Sequence, residues 1–399
     1  MKIEEIRLRN FRAFKDVTLR DLPSFVVVIG ANGTGKSTLF SVFAFLRDAM
    51  AHNVTSAFAR LGGSRGFSEV RSRGTTGPIE IEIKFRANLG GREPKLVTYS
   101  LQIDEENDRP VIVREVLKYR RGSHGRPWHF LDFTRGVGEA VTNETDVEIT
   151  EEKDLKRESQ ELRSPDILAI KGLAQFQRFR AAVELGKLIE QWHLSDFHIS
   201  RARPEQEAGY AEHLSTEGEN LANVVEYLYR NHKGVFEAIL RNLERRIPGL
   251  AKVEPKQTEE GRVLLKFQDG AFEDPFLARH VSDGTIKMLA YLVLLYDPAP
   301  HPLLCVEEPE NQLYPSLLWE LAEEFRAYAA RGQQVFVSTH SPDFLNAVRI
   351  DEAFWLVKEG GYTSVRAAKD DPQLVRYVED GDQLGFLWKS GLLAGADPQ

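Results

Sequence analysis

Residues 30–38 read GANGTGKST and follow the apolar run FVVVI at residues 25–29. The pattern G-x-x-x-x-G-K-[ST] is filled by Gly30, Gly35, Lys36 and Ser37. A short β-branched run that ends in glycine predicts a buried strand leading into a phosphate-binding loop. Apolar residues at helical spacing downstream predict a helix that starts at Lys36. This order of strand, loop and helix constrains the fold more than any other feature of the chain.

The residue types in this loop suit a nucleoside triphosphate. Glycines let backbone N–H groups point inward at phosphate oxygens, and the helix N-terminus adds a partial positive charge. Lys36 would reach the β and γ phosphates, and the Ser37 hydroxyl can ligate Mg²⁺. The alternative is a chance match in a loop, which the flanking strand and helix make less favoured. We therefore expect a triphosphate with Mg²⁺ to bind here.

Composition excludes several classes of protein. The chain has 399 residues, of which 42% are hydrophobic and 28% charged, as in ordinary globular proteins. Its longest apolar run, residues 288–296, is far shorter than the roughly 20 residues that span a bilayer. The N-terminus lacks the apolar stretch of a signal peptide, and the single cysteine, Cys305, rules out a cysteine framework of disulfides or zinc. These features predict a cytoplasmic protein with no membrane partner.

The periodicity of the chain predicts its organisation. Alternating patterns before the phosphate loop and from residue 78 to about 150 predict antiparallel strands with one wet face. Beyond residue 150 the apolar spacing becomes helical, and its aromatic stripes are typical of core packing. We expect three parts: residues 1–150 with the phosphate loop and antiparallel strands, a helical lobe at 151–270, and a C-terminal part at 271–399.

Two downstream segments carry further chemistry. Ser282, Asp283 and Gly284 precede an apolar helical run, and such a turn at a helix N-terminus is an anion site. A buried strand at 303–306 then leads into Glu307, Glu308 and Glu310. One carboxylate could hold the water shell of Mg²⁺ while its neighbour orients an attacking water. The alternative for the acidic run is a loop that opens the next helix.

A second buried strand, at residues 335–338, ends in Thr339 and His340. A lone histidine is usually structural. The carboxyl end of a buried strand in a nucleotide-binding sheet is, however, where ligands bind in such sheets. His340 could therefore contact the γ-phosphate.

These motifs in this order resemble the ATP-binding-cassette ATPases of the RecF, SMC and OLD group. NFRAF at 10–14, VSDGTIKMLAYL, VEEPENQLYP, STHSPDFL and LGFLWKSG at 384–391 resemble, more specifically, the stand-alone bacterial "predicted ATPase" members of that group. The resemblance implies an α/β fold: a P-loop ABC-type ATPase head with a parallel-sheet core, an antiparallel β subdomain and an inserted helical lobe.

The resemblance also implies roles for single residues. Glu308 would be the catalytic carboxylate, His340 the switch histidine, and Glu307 with Ser37 the metal ligands. In such families ATP is hydrolysed when two copies face each other, so Ser282, Asp283 and Gly284 would contact the nucleotide of a partner copy. The residues that would bind the chain's own nucleotide are Arg12, Gly30, Asn32, Gly33, Gly35, Lys36, Ser37 and Thr38.

The chain departs from related families in ways that make a transporter subunit, an SMC protein or an OLD-type nuclease less favoured. Glu307 stands where aspartate is commoner, SDGT differs from the transporter motif, and no glutamine-loop residue can be identified. Ser37 and Ser282 are 245 residues apart without coiled-coil heptads, unlike SMC proteins, and 59 residues after His340 are too few for an OLD-type nuclease module.

We expect an ATP hydrolase, homodimeric with ATP, that couples ATP state to DNA or to an effector nuclease or toxin in DNA repair or phage defence. The alternative is a slowly hydrolysing, nucleotide-gated scaffold for such an effector. The net charge of −8 argues against a wholly nucleic-acid-binding surface, although local basic patches survive an acidic average. The candidate DNA contacts are Arg60, Arg65, Arg71, Arg73, Arg120, Arg121 and Arg126. The alternative is that these arginines serve only solubility.

Overall fold

A computed structural model describes residues 2–89, 93–122, 125–144, 149, 151–272 and 274–396. Contacts within the chain define two units. Unit 1 comprises Met1–Trp192, Arg349–Asp382 and Leu387–Gln399, and unit 2 comprises His193–Val348 and Gln383–Phe386. The expected three-part division at residues 150 and 270 stays a prediction, because these units follow contacts rather than sequence patterns.

The strands among the described residues are, in chain order, β1 (Lys2–Phe11), β2 (Phe14–Leu19), β3 (Phe25–Ile29), β4 (Ile79–Ala87), β5 (Lys95–Glu106), β6 (Arg109–Tyr119), β7 (Trp128–Thr134), β8 (Val137–Val141), β9 (Arg157–Glu161), β10 (His193–Ser195), β11 (Gln206–Glu207), β12 (Leu250–Gln257), β13 (Arg262–Asp269), β14 (Phe276–Leu277), β15 (Leu303–Glu307), β16 (Gln334–Thr339), β17 (Ala353–Glu359) and β18 (Tyr362–Ala367). The α-helices are α1 (Lys36–Ala51), α2 (Val54–Gly62), α3 (Phe67–Val70), α4 (Ala169–Leu173), α5 (Arg180–Glu190), α6 (Ile199–Ala202), α7 (Leu221–Asn231), α8 (Lys233–Arg246), α9 (Asp283–Leu295), α10 (Pro315–Ala330), α11 (Pro342–Leu345), α12 (Pro372–Glu379) and α13 (Leu384–Lys389).

Unit 1 contains an antiparallel sheet in the order β2-β1-β4-β5-β6-β7-β8-β9. Its alternation is explicit in β4, where Ile81 and Ile83 are buried and Glu82 between them is not. Ile81 pairs with Leu101 of β5, so both strands turn apolar side chains to one face. The strands expected on both sides of the phosphate loop are therefore present.

The phosphate loop follows a separate buried element of unit 1. Every residue of β3 is buried, and β17 pairs with it in parallel, with Val28 opposite Phe354. β18 then pairs antiparallel with β17. A strand buried on both faces reads as a continuous apolar run, which is how FVVVI appears in the sequence.

Unit 2 has its own parallel element, in which β10 and β16 flank β15. The helix α9 is the core of this unit, since ten of its residues from Ile286 to Leu295 are buried. A second sheet has the order β11-β13-β12, with β14 also paired to β13. Among the described residues, no helix is both long and apolar enough to cross a membrane.

The stretch 151–270, for which we expect a helical lobe, contains strands as well as helices. It contains helices α4 to α8 but also the antiparallel pair β12 and β13. On β13, Val263, Leu265 and Phe267 are buried at a period of two. That alternation makes residues 262–269 a strand, whereas the helical pattern ahead of Pro248 forms α7 and α8, so the helical expectation holds for part of the stretch.

Candidate functional site

The phosphate loop in unit 1 depends on glycine for its backbone path. Gly33 and Gly35 have φ angles of 77° and 102°, a region that side chains disfavour. Gly35 is the residue that precedes the first turn of α1. The Lys36 ammonium donates to the carbonyl of Gly30 at 2.7 Å and lies 3.4 Å from that of Ala31. Lys36 thus folds back across the loop and is nearly buried.

Polar contacts hold this loop in place. The Thr34 hydroxyl donates to the carbonyl of Ala31 at 2.8 Å, and Thr363 on β18 donates to the carbonyl of Thr34 at 2.6 Å. Asn32, Gly33 and Ser37 are exposed, and Thr38 is half-buried. The loop therefore presents the Ser37 hydroxyl to solvent on a fixed backbone.

Arg12 has a different environment from the loop residues. Its backbone has a φ of 49°, and its guanidinium donates to the carbonyl of Leu61 at 2.6 Å. Burial lowers the pKa of this guanidinium. The side chain lines a unit 1 cavity of about 560 Å³, bordered by Arg12, Ala13, Glu69, Arg71, Arg73, Lys358, Gly360, Gly361 and Tyr362. Lys358 is a basic group here that the sequence patterns did not single out.

The acidic residues of unit 2 lie at the carboxyl end of β15. Glu307 is the last residue of this strand and lies opposite Ser338 of β16. Glu308 has a left-handed φ of 43°, and its N–H donates to the carbonyl of Ser338 at 2.9 Å. Such a backbone costs about 1–3 kcal/mol in a non-glycine residue. Strain of this size concentrates at functional sites, which makes Glu308 a functional candidate on structural grounds.

Glu308 and His340 lie side by side. His340 Nδ1 is 3.3 Å from Glu308 Oε1 and 3.4 Å from Glu310 Oε1. The other oxygen of Glu308 accepts from Asn311 Nδ2 at 3.0 Å. Both Glu308 and His340 remain partly exposed. A water molecule can lie between these two side chains and a bound ligand. A carboxylate and an imidazole in this position can accept a proton from that water or donate one to it.

Glu310 has a positioning role that its sequence context did not indicate. Its Oε1 accepts from the Thr339 hydroxyl at 2.7 Å and from the His340 N–H at 2.9 Å. The side chain is only 7% exposed. These bonds fix the carboxyl end of β16, so Glu310 positions the backbone that carries the His340 side chain.

The serine turn caps α9 as its sequence predicts. The Ser282 hydroxyl accepts from the Thr285 N–H at 3.2 Å. A Cβ on Gly284 would lie 2.9 Å from the carbonyl oxygen of Gln312, so this close approach requires glycine. Asp283 forms an ion pair with Arg203, a partner 80 residues away that no local pattern reveals.

Lys287 is a further residue that sequence patterns missed. Its ammonium lies 3.5 Å from the carbonyl oxygen of Glu308. Burial lowers its pKa to about 8, against the opposing field of Glu310, Asp196 and Glu308. A lysine within an otherwise apolar helix was the only available signal. It borders a unit 2 cavity of about 680 Å³ lined by Asp196, Phe197, His198, Ile199, Ser200, Arg203, Asp283, Lys287, Glu308, Asn311 and Gln312.

Unit 2 thus gathers the serine turn, Glu308 and His340 around one helix and two strand ends, while the phosphate loop and Arg12 belong to unit 1. The arginines expected to contact DNA are mostly exposed and mostly paired with acids. Arg60 bonds Asp48 at 2.9 Å, and Arg71 lies 3.7 Å from Asp104. Arg73 lies 3.6 Å from Glu69, and its side chain is 95% exposed.

Two curated relatives share part of the sequence. The "DNA replication and repair protein RecF" of Pseudarthrobacter chlorophenolicus is 34% identical over 95 residues, which is 23% of this chain and 24% of the relative. The RecF protein of Heliobacterium modesticaldum is 25% identical over 141 residues, 33% of this chain and 37% of the relative. The matched regions therefore cover well under half of these relatives.

A solved structure extends the comparison to the fold. "Crystal structure of the SmcHead bound to the C-winged helix domain of ScpA" aligns with a TM-score of 0.54 at 14% identity. The alignment covers 92% of this chain and 98% of that one. At this identity the likeness concerns the fold alone, and it confirms the expected ATPase-head architecture.

A family model provides the broadest sequence match. Its description is "AAA domain, putative AbiEii toxin, Type IV TA system", and it matches residues 25–346. That span contains the phosphate loop, the serine turn, the acidic strand and His340. Together with the RecF relatives and the SMC-head fold, this match confirms the resemblance to ABC-type ATPases of the RecF and SMC kind. Since the match covers well over half of the chain, this protein belongs to the family of AAA domains so described.

Proposed function

We propose that this protein is an ATP hydrolase that becomes active as an ATP-bound homodimer. The observation that carries the proposal is the grouping of Glu308, His340 and Glu310 at the carboxyl ends of β15 and β16. A carboxylate beside an imidazole, in a chain whose family match includes the phosphate-loop motif, suits in-line attack of water on a γ-phosphate. Glu308 orients the water and accepts its proton, and His340 stabilises the transferred phosphoryl group.

The residues present also suit the expected Mg²⁺. Ser37 offers an exposed hydroxyl, and Glu307 offers a half-buried carboxylate at a strand end. Both are hard oxygen donors, which Mg²⁺ prefers. When bound, Mg²⁺ neutralises charge that develops on the phosphates. Lys36 and the N–H groups of the loop hold the triphosphate, and Gly30, Asn32, Gly33, Gly35 and Thr38 shape or border that cradle.

Dimerisation supplies the second half of the site. Ser282, Asp283 and Gly284 form an N-terminal turn of α9, and oriented N–H groups there favour an anion. The Asp283 side chain is about half exposed, so the turn is reachable from outside unit 2. We assign this turn to the nucleotide of a partner copy. Hydrolysis then removes contacts across the dimer and favours its opening.

The decisive experiment measures the mass of the Glu308→Gln protein in solution with Mg-ATP. Glutamine keeps the shape of the side chain but cannot accept the proton, so we expect a stable dimer with ATP and a monomer with ADP. Glu259→Gln, in an exposed turn, is the matched control and should behave as wild type. A Glu308→Gln protein that stays monomeric at saturating Mg-ATP would refute the proposal.

Coupling to DNA forms part of the proposal because the curated relatives are named as DNA replication and repair proteins. Arg65 and Arg73 are highly exposed and lie more than 3.5 Å from Glu69, so they can turn to phosphates. The same measurement with duplex DNA added tests this coupling. If duplex DNA in low salt changes neither the fraction of dimer nor the rate of ATP hydrolysis, the protein is not coupled to DNA.

A second candidate is a slowly hydrolysing scaffold that holds and releases a toxin or nuclease. The family description, which names a toxin and a toxin–antitoxin system, favours this setting. Turnover separates the two candidates. If Glu308→Gln traps the dimer but the wild-type protein hydrolyses negligible ATP even with DNA present, the scaffold is the better account.

A further inference from the structure

Unit 2 contains a cluster of metal-binding side chains that belongs to none of the nucleotide motifs. Ligand atoms of His213, Asp297 and His301 all lie within 4.8 Å of one another. We propose that these three residues bind one divalent transition-metal ion of the zinc class. The proposal is independent of ATP hydrolysis.

The cluster joins segments that are distant in sequence. Asp297 lies just after the end of α9, and His301 lies just before β15. His213 belongs to the segment between β11 and α7, 84 residues before Asp297. A metal ion here would tie that segment to the connection between the core helix and the acidic strand.

The carboxylate is already oriented for coordination. Asp297 Oδ1 accepts from the N–H of Ala299 at 2.8 Å, and Oδ2 lies 2.6 Å from His213 Nδ1. The Asp297 side chain is only 5% exposed. A backbone donor on one oxygen is the kind of outer contact that fixes a metal-binding carboxylate. Oδ2 is therefore presented to the cluster.

Both histidines are also held by neighbours. The carbonyl of His213 accepts from Asn220 Nδ2 at 2.9 Å, which anchors its loop. The carbonyl of His301 accepts from the Tyr328 hydroxyl at 2.9 Å. The His301 ring lies 5.1 Å from the His213 ring and stacks on His193 of β10, with centroids 4.6 Å apart. The main chain is thus fixed at both histidines, and the His301 ring is packed between two others.

The spacing matches metal coordination after small movements. Zinc–nitrogen and zinc–oxygen bonds are about 2.0–2.2 Å long, so ligand atoms in a tetrahedral site lie about 3.4 Å apart. Here one pair of ligand atoms is 2.6 Å apart and all of them lie within 4.8 Å of one another, so that value falls between these limits. His213 is about 40% exposed, which leaves an entry path for the ion and room for a water as fourth ligand. Two imidazoles favour the zinc class over Mg²⁺.

The test uses the 399-residue chain without a histidine tag or nucleotide. Zn²⁺ is titrated in by calorimetry, and Co²⁺ is titrated while its visible absorption is recorded. We expect one ion per chain and the absorption of a low-coordinate Co²⁺ site. His213→Gln and Asp297→Asn should each weaken Zn²⁺ binding more than about tenfold. His129→Asn, on β7, is the matched control and should bind as wild type.

Three results would overturn the assignment. They are no stoichiometric Zn²⁺ binding by the wild type, unchanged binding by His213→Gln, or equal losses in His213→Gln and His129→Asn. If Asp297→Asn proves unfolded, His213→Gln decides alone, because its side chain is partly exposed and its loop is held through the main chain. A Zn²⁺-dependent rise in the melting temperature of the wild type, absent in His213→Gln, supports the assignment by a second route.

Discussion

Replacing Glu310 with alanine tests whether this buried carboxylate positions His340. Its Oε1 receives hydrogen bonds from the Thr339 hydroxyl and the His340 N–H, at 2.7 Å and 2.9 Å. Its Oε2 is buried and has no hydrogen-bond partner in the described parts of the chain. Alanine removes this shared acceptor, so the Thr339 hydroxyl and the His340 N–H both lose their hydrogen-bond partner.

The magnitude follows from those two bonds. A hydrogen bond to a charged group contributes about 1.5–3 kcal/mol, and two bonds that share one oxygen contribute about 3 kcal/mol together. In a folded unit of about 150–250 residues, each kcal/mol changes the melting temperature by about 2–4 °C. We therefore expect Glu310→Ala to lower the melting temperature of unit 2 by about 6–12 °C. A displacement of His340 by about 1 Å would also lower kcat about 100-fold.

Glu310→Gln is the matched control. Its carbonyl oxygen can occupy the Oε1 position, and its amide can occupy the Oε2 position, where no bond is lost. Because glutamine keeps the acceptor but not its charge, we expect a smaller fall in melting temperature than in Glu310→Ala and a kcat reduced less than about tenfold. Differential scanning calorimetry and steady-state Mg-ATP turnover measure both quantities. If Glu310→Ala melts within about 2 °C of the wild type and keeps its kcat, Glu310 does not position His340.

Two buried ionisable groups lead to predictions of opposite sign with pH. Burial raises the pKa of Glu115, on β6, to about 7, so between pH 4.5 and 7 only the unfolded state ionises. The free energy of unfolding of the wild type, measured by urea unfolding, should fall by about 3 kcal/mol relative to Glu115→Gln over that range. If the two proteins show the same dependence of this free energy on pH, the prediction is wrong. Burial lowers the pKa of Lys287 to about 8, so between pH 8 and 10.5 the unfolded state binds more protons. The free energy of unfolding of the wild type should rise by about 3 kcal/mol relative to that of Lys287→Met over that range. An equal rise in the variant would contradict this.

Local patterns predict the elements that carry the motifs. The strand ahead of the phosphate loop, the start of α1 at Lys36 and the Ser282 cap each depend on a few consecutive residues. Apolar runs and capping side chains encode such elements within one window of sequence. The same holds for β15 and β16, whose apolar runs end at Glu307 and Thr339.

Contacts between distant residues are not encoded in this way. Glu310 acquires its role from Thr339 and His340, about 30 residues downstream. Arg203 pairs with Asp283 across 80 residues, a separation at which a sequence pattern carries no signal. The strand β12 was missed because LAKVEPKQ buries Val253 alone and contains a proline. Its pairing with β13, and not its own composition, makes it a strand.

The backbone at Glu308 explains how two adjacent carboxylates can serve different tasks. In a continuing strand, the side chains of Glu307 and Glu308 would point to opposite faces. The left-handed φ of 43° at Glu308 ends the strand instead, while its N–H stays bonded to Ser338 at 2.9 Å. The conformation costs about 1–3 kcal/mol, and the contacts of the Glu308 carboxylate with Asn311 and His340 offset part of it. Glu308 is thus aimed by its own chain and its neighbours before any nucleotide arrives, whereas Glu307 remains in the register of β15.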